Sequence, residues 1–281
     1  MSNVRFIFPN VADDATLTCS PAAASTLPVT NLQTQTRGEL WRSNSVISAQ
    51  HIYGDLSGYQ TVSAMALVRH NLTATATYRL RLYDQTAQSG TLLYDSGTVT
   101  LGGTLLGWGS FDWGVDPWGS ASLADWPVPY LVAWFDPVLA LSFDLQLDDT
   151  ASADGYLEAA RLVLGGYVEP TYNMSYGLDM SWREQSKQTR TEGGTLRTDE
   201  REPYRRFSFA LDHLSVSERA TLMDRFRRAG LRNDLFLSCF PEDTDADRER
   251  DYSGLVKLVE TPSMQANLPT NYRTQLVFEE S

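Results

Sequence analysis

Tryptophans spaced by glycine and aspartate are the first residues of this 281-residue chain that suggest chemistry. Trp108, Trp113 and Trp118 alternate with Asp112 and Asp116, and Trp126 and Trp134 follow. An indole on a loop stacks on the face of a sugar ring, and a neighbouring carboxylate accepts hydrogen bonds from its hydroxyls. The same composition makes buried anchors at a protein interface, or plugs the end of a core. All three readings stand, so Trp108, Trp113, Trp118, Asp112 and Asp116 are candidate contacts for a partner or a glycan.

Catalytic spacing is absent elsewhere. The chain has no G-x-S-x-G elbow, no P-loop, no H-E-x-x-H and no C-x-x-C. His51, His70 and His213 are its 3 histidines, and each reads as a hydrogen-bonded structural or surface residue. Asp243, Asp245 and Asp247 resemble the start of a calcium loop. Arg248 stands where that loop turns on glycine, and Gly254 where it closes with a bidentate glutamate, so no metal is expected. Cys19 and Cys239 lie far apart and form neither a disulfide framework nor a metal spacing. No catalytic residue and no cofactor is expected, and the chain reads as a non-enzyme.

Charge narrows the partners. The net charge is −12, which disfavours free nucleic acid or an anionic membrane as the main partner. No apolar run approaches the roughly 18 residues that span a bilayer, and MSNVRFIFPN lacks a signal-peptide core. A soluble, cytoplasmically made protein is the expectation. Only Lys187 and Lys257 are lysines, and the remaining cations are arginines. Arg190, Arg197, Arg201, Arg205 and Arg206 interleave with Glu192, Asp199, Glu200 and Glu202. Guanidinium forks in a mixed-sign loop suit pairing with a neighbouring subunit, so these five arginines are the candidate subunit interface.

The elements that must position these residues fall into two groups. Up to Pro170 there are 7 arginines and 16 acids, and six of the 7 tryptophans. A Gly-Gly-Tyr-Val-Glu-Pro stretch at 165–170 marks the change, which predicts domains at 1–168 and 169–281. Period-2 alternation at 77–84 and 139–147 predicts strands with one buried face, with more at 61–68, 91–100 and 156–164. Many short strands without a helical stripe suggest a β-sandwich or jelly roll. In the second part, Ser215 and Glu218 form a capping box, Leu222, Met223 and Phe226 form an apolar face, and Gly230 ends a helix over 215–229. Strands at 206–211, 235–240, 255–260 and 274–279 make this part α+β, and 192–203 reads as a long charged loop.

Two blocks carry a resemblance. Asn31-Leu32, Leu40-Trp41-Arg42-Ser43, Ile52–Leu56, Ala66–Leu72 with its His70-Asn71-Leu72 turn, and the 78–84 strand together resemble discoidin-like (galactose-binding-like) jelly rolls of long-tailed phage tail proteins. The Trp-Arg-Ser segment and the HNL turn would then be structural landmarks. Gly193-Gly194-Thr195, Pro203–Phe207, the capped helix and the terminal Phe278–Ser281 strand resemble the tail-tube-like fold of distal tail and baseplate hub proteins. The implied fold is mainly β, a jelly-roll sandwich followed by a tail-tube-like sandwich or barrel with one flanking helix.

That resemblance implies a structural virion protein at the tail tip, made in the host cytoplasm. It would form a homo-oligomeric ring, a hexamer, between tail tube and hub or fibre proteins, with DNA only passing through an acidic lumen. The alternative from another class is a carbohydrate-binding module that touches host surface glycan.

Overall fold

Strict alternation of apolar and polar side chains makes strands that must bury one face. In the computed structural model, which describes residues 2–36, 38–101, 129–243 and 246–281, that alternation runs farther than the sequence suggests. Gln50–Val68 and Tyr130–Asp148 are each a single 19-residue strand, and they pair antiparallel along their length. Register shifts between Asp55 and Gln60 and between Val62 and Ala64 bend the pair. Ahead of the bend, 50–68 pairs with Thr16–Ser20, and 130–148 pairs with Thr77–Tyr83. Leu92–Asp95 and Val99–Thr100 add to 77–83. Past the bend the neighbour is Arg161–Gly165. Both halves of this seven-stranded sheet line one core, where Ile52, Leu80, Phe143 and Leu145 meet Met65, Leu67, Leu131 and Leu162. A Cβ on Gly54 would collide with the Phe143 ring, so that position needs glycine.

The second sheet has eight strands. Its order is Tyr167–Val168, Arg5–Ile7, Leu235–Ser238, Ser253–Leu258, Asn271–Glu280, Tyr204–Leu214 and Asp179–Arg183, with Met264–Leu268 beside 271–280. Its second strand comes from the N-terminus of the chain, so the expected 1–168 unit is not closed in sequence. Residues 5–7 pair with 167–168 on one side and 235–238 on the other. Composition misses this strand because three residues are too few to show a period.

The helix Val216–Ala229 packs on this sheet behind a formed capping box at Ser215 and Glu218, and a second helix of six residues, Ala246–Asp251, unexpected from the sequence, leads into the 253–258 strand. The longer helix buries Leu222, Phe226 and Ala229 against Phe6, Phe209 and Phe278. Met223, expected on the apolar face, is exposed, because the buried stripe follows i, i+4 from Leu222 to Phe226. Gly230 ends the helix at φ +57°.

The two sheets share a buried seam. Ile7, Phe236 and Leu255 of the second pack against Ala64, Ala66, Val68 and Val163 of the first. Beside this seam Arg161, 2% exposed, holds Asp234 through Nε and Nη2 at 2.9 Å and Asp13 through Nη1 at 2.6 Å. The architecture is mainly β, and among the described residues no helix is long and apolar enough to cross a membrane.

Candidate functional site

An open cleft of about 570 Å³ lies at one end of the jelly roll. That is within the range of roughly 300–1,000 Å³ found for small-ligand clefts. Leu40 and Pro129 give it apolar wall, and Arg69, Asn71, Glu158 and Glu202 give it polar groups. The first five of these come from the sandwich and Glu202 from the segment leading into the 204–214 strand, so both units contribute.

Local structure fixes this wall. Arg69 follows the last residue of the 50–68 strand and sits at φ +55°, which turns the chain; its amide donates to the Pro129 carbonyl at 2.6 Å. His70 is buried, and its Nδ1 accepts the Leu72 amide at 3.2 Å. Burial lowers its pKa to about 4, against smaller opposing effects of the Tyr130 carbonyl and Asp149, so the ring is neutral near pH 7. Asn71 ties down the facing loop: Nδ2 donates to Asp154 and to the Tyr156 carbonyl, both at 3.0 Å, and Oδ1 accepts the Glu158 amide at 2.8 Å. Asp149 accepts the Thr73 amide and hydroxyl at 2.7 and 2.8 Å.

The rim is similarly held. Arg42 grips Glu158 Oε2 through Nε and Nη2 at 3.0 and 2.7 Å, and its guanidinium lies 4.0 Å from the centroid of the Tyr156 ring. Trp41 is fully buried, and Ser43 Oγ accepts the Leu157 amide while donating to the Val46 carbonyl. The Trp-Arg-Ser and His-Asn-Leu segments thus brace the wall of the cleft from behind. The held carboxamide of Asn71 and carboxylate of Glu158, with Arg69 and Glu202 beside them over apolar wall, can hold a hydroxyl-rich molecule. His70 does not serve as a base here, since its ring is buried and its Nδ1 lone pair is engaged.

The sequence-derived sites fare unevenly. Trp108, Asp112, Trp113, Asp116 and Trp118 lie outside the described residues. The stretch expected as a charged loop is a two-stranded ribbon, Lys187–Arg190 paired with Leu196–Asp199 and exposed at all eight positions. Arg190 and Arg197 stand on it, and Arg201 follows it. Arg205 corrects the expectation of an interface residue: its side chain is fully buried. Its Nη2 and Nε hold the Glu280 carboxylate at 2.6 and 3.1 Å, and its Nη1 donates to the Arg250 and Asp251 carbonyls. A guanidinium with these internal acceptors is a brace between strands. Arg206, half-buried, pairs with Glu279 at 3.4 Å. Asp243 meets Arg248 at 3.3 Å, and among the described residues no group of carboxylates, histidines and cysteines is placed to hold a metal. Glu158 and Glu202 were missed, since nothing in sequence spacing brings residues 40, 69 and 202 together.

No family model matches the chain, and no curated protein does. Solved structures with related shape include chitosan-binding module 1 of a Paenibacillus sp. IK-5 chitosanase/glucanase, at 15% identity and TM-score 0.40, covering 56% of this chain and 99% of that one. The family 32 carbohydrate-binding module of C. perfringens NanJ, solved with galactose, gives 14% identity and TM-score 0.39 over 58% and 99%. The family 32 module of AlyQ, solved with 4,5-unsaturated mannuronic acid, gives 17% and 0.35 over 53% and 92%. Likeness at this level decides nothing about what this chain binds.

Proposed function

We propose that this chain is a saccharide-binding protein that acts without turnover, holding a glycan in the cleft at the end of its jelly roll. The observation that carries this reading is the cleft itself: about 570 Å³, open, with Asn71 and Glu158 held in its wall by hydrogen bonds to the protein. Fixed groups lose little entropy on binding, so their hydrogen bonds to sugar hydroxyls are retained as affinity.

Gly38 offers a clean test. It borders the cleft, a Cβ there meets nothing within 4 Å, and its backbone is not left-handed. Gly38→Phe should fill the cleft and leave the fold intact. On a glycan array probed with the full chain, the wild type should retain at least one class of glycan that Gly38→Phe loses. Identical profiles for the two, or no retention by either, would remove the proposal.

A second reading is favoured by the ribbon. A subunit of a ring at the tip of a long phage tail needs an arm that reaches its neighbour, and 187–199 is such an arm. From Arg183 to the Gly193-Gly194 turn, an extended chain can reach roughly 35 Å. An isolated two-stranded hairpin is marginal in water, which fits a segment that is covered on assembly. The readings are compatible, with the cleft for a glycan and the ribbon for a neighbouring subunit.

A further inference from the structure

The second sheet ends in an open edge that carries its own complement. Asp179–Arg183 is its last strand on one side and, among the described residues, pairs with Tyr204–Leu214 alone. Every second residue of such a strand turns its N–H and C=O away from the sheet, which offers a template for one more strand. Ser175, whose amide donates to the Ala210 carbonyl at 2.9 Å, keeps the preceding chain beside the same neighbour. The opposite edge of the sheet, Tyr167–Val168, has only two residues.

Register with 204–214 sorts the side chains of this strand. Met180 and Trp182 stand opposite Phe207 and Arg205 on the core face, and Asp179, Ser181 and Arg183 stand on the other. Asp179 and Arg183 are exposed, and among the described residues neither charge has a partner. They lie at equal distance on either side of Ser181. A second copy added antiparallel about Ser181 therefore sets Asp179 against Arg183 at both ends, and sets Met180 against Trp182, which is 44% exposed. No other antiparallel register puts the two charges directly opposite each other. A slip of one residue turns Met180 to the wet face, and an in-register parallel pair sets like charge against like. Charges on an edge strand ordinarily deter pairing. Here their opposite signs direct it.

We infer that this edge receives a second copy of the chain, which adds its own 179–183 strand antiparallel across a two-fold axis at Ser181. The inference rests on the reading of 187–199 as an arm to a neighbouring copy, and it gives that arm a surface to lie on. Running on from Arg183, the ribbon passes Asp179 of the second copy and follows its 172–176 segment. Tyr176 there is fully exposed and Tyr172 is 63% exposed. The same register brings Lys187 and Arg190 of the ribbon to this segment, and a cation over a phenol ring is attracted to it. The same patch serves on both copies, so the contact closes as a dimer.

The test is sedimentation equilibrium of the full chain, with Asp179→Arg and Arg183→Asp as single variants. Both side chains are exposed, and matching melting temperatures and circular dichroism establish that the variants are folded. The wild type should sediment with the mass of two copies. Asp179→Arg sets arginine against arginine at both ends and Arg183→Asp sets aspartate against aspartate, so each should weaken the dimer by about tenfold or more. An equimolar mixture of the two variants restores both opposite-sign pairs and should restore the dimer. A wild type that sediments as one copy, variants that associate as the wild type does, or a mixture that stays monomeric overturns the inference. Failure of the arm reading shows separately, as a dimer that obeys this charge exchange and survives replacement of 186–201 by a two-residue turn.

Discussion

His70 shows how much one residue type can conceal. In sequence it is one of 3 histidines in a chain without catalytic motifs, and a structural role is the reasonable expectation. The structure places it buried against the cleft wall with its pKa lowered from 6.5 to about 4. The unfolded chain therefore takes up a proton near pH 6.5 that the folded chain refuses until about pH 4. Its contribution is fully present above pH 6.5 and is lost as pH falls through this window, by roughly 3 kcal/mol. Asp13 and Glu249, whose pKa values are raised chiefly by burial, act in the opposite sense as they protonate. Urea unfolding of wild type and His70→Gln at pH 7 and pH 4.5 separates the effects: the wild type should lose more stability between these values than the variant. Equal losses would show that the ring is not held neutral. Arg205 teaches the complementary point. Five arginines near one another in sequence read alike, yet Arg205 is a buried brace while Arg190 and Arg197 stand in water. Sequence spacing does not report which strand a guanidinium folds beneath.

Elements with strong local signals were legible. The capping box, the Gly230 terminus and the strands at 77–83, 204–214 and 271–280 follow from periodicity and turn chemistry that need no tertiary partner. The 19-residue strands were seen only in part, because their bulges break the alternation that a reader follows. The ribbon at 187–199 was read as loop, since strands exposed on both faces carry no hydrophobic alternation. Its exposure yields a prediction. Replacing residues 186–201 with a two-residue turn removes no buried contact, so the melting temperature should change by less than about 2 °C, as for a surface change of a few tenths of a kcal/mol. Sedimentation of the same variant should show loss of any self-association of the wild type. A large drop in melting temperature would mean that the ribbon supports the monomer, and the assembly role would lose its basis.

At the scale of the whole molecule, the sequence suggested two units in series, and the chain instead begins in the second sheet before building the first. That strand, the apolar seam and the Arg161 brace tie the units together. Removing one partner of a buried ion pair costs about 3–5 kcal/mol because the other is left uncompensated. Asp234→Ala leaves Arg161 with Asp13 as its remaining partner, so it should destabilise the whole chain by less than that, about 1–3 kcal/mol in urea, with both units unfolding in one transition; separate transitions would show that the seam does not couple them. The cleft depends on the same coupling, since Glu202 reaches it from the second unit. It was not legible for that reason: its residues are joined by topology alone, and the tryptophan segment that was legible lies outside the described residues. The most direct test of glycan recognition is amide hydrogen exchange on the full chain, with and without a glycan selected on the array. The account predicts added protection at 38–42, 69–72 and 156–158, which carry the cleft wall. Protection confined to the ribbon, or none anywhere, would contradict it.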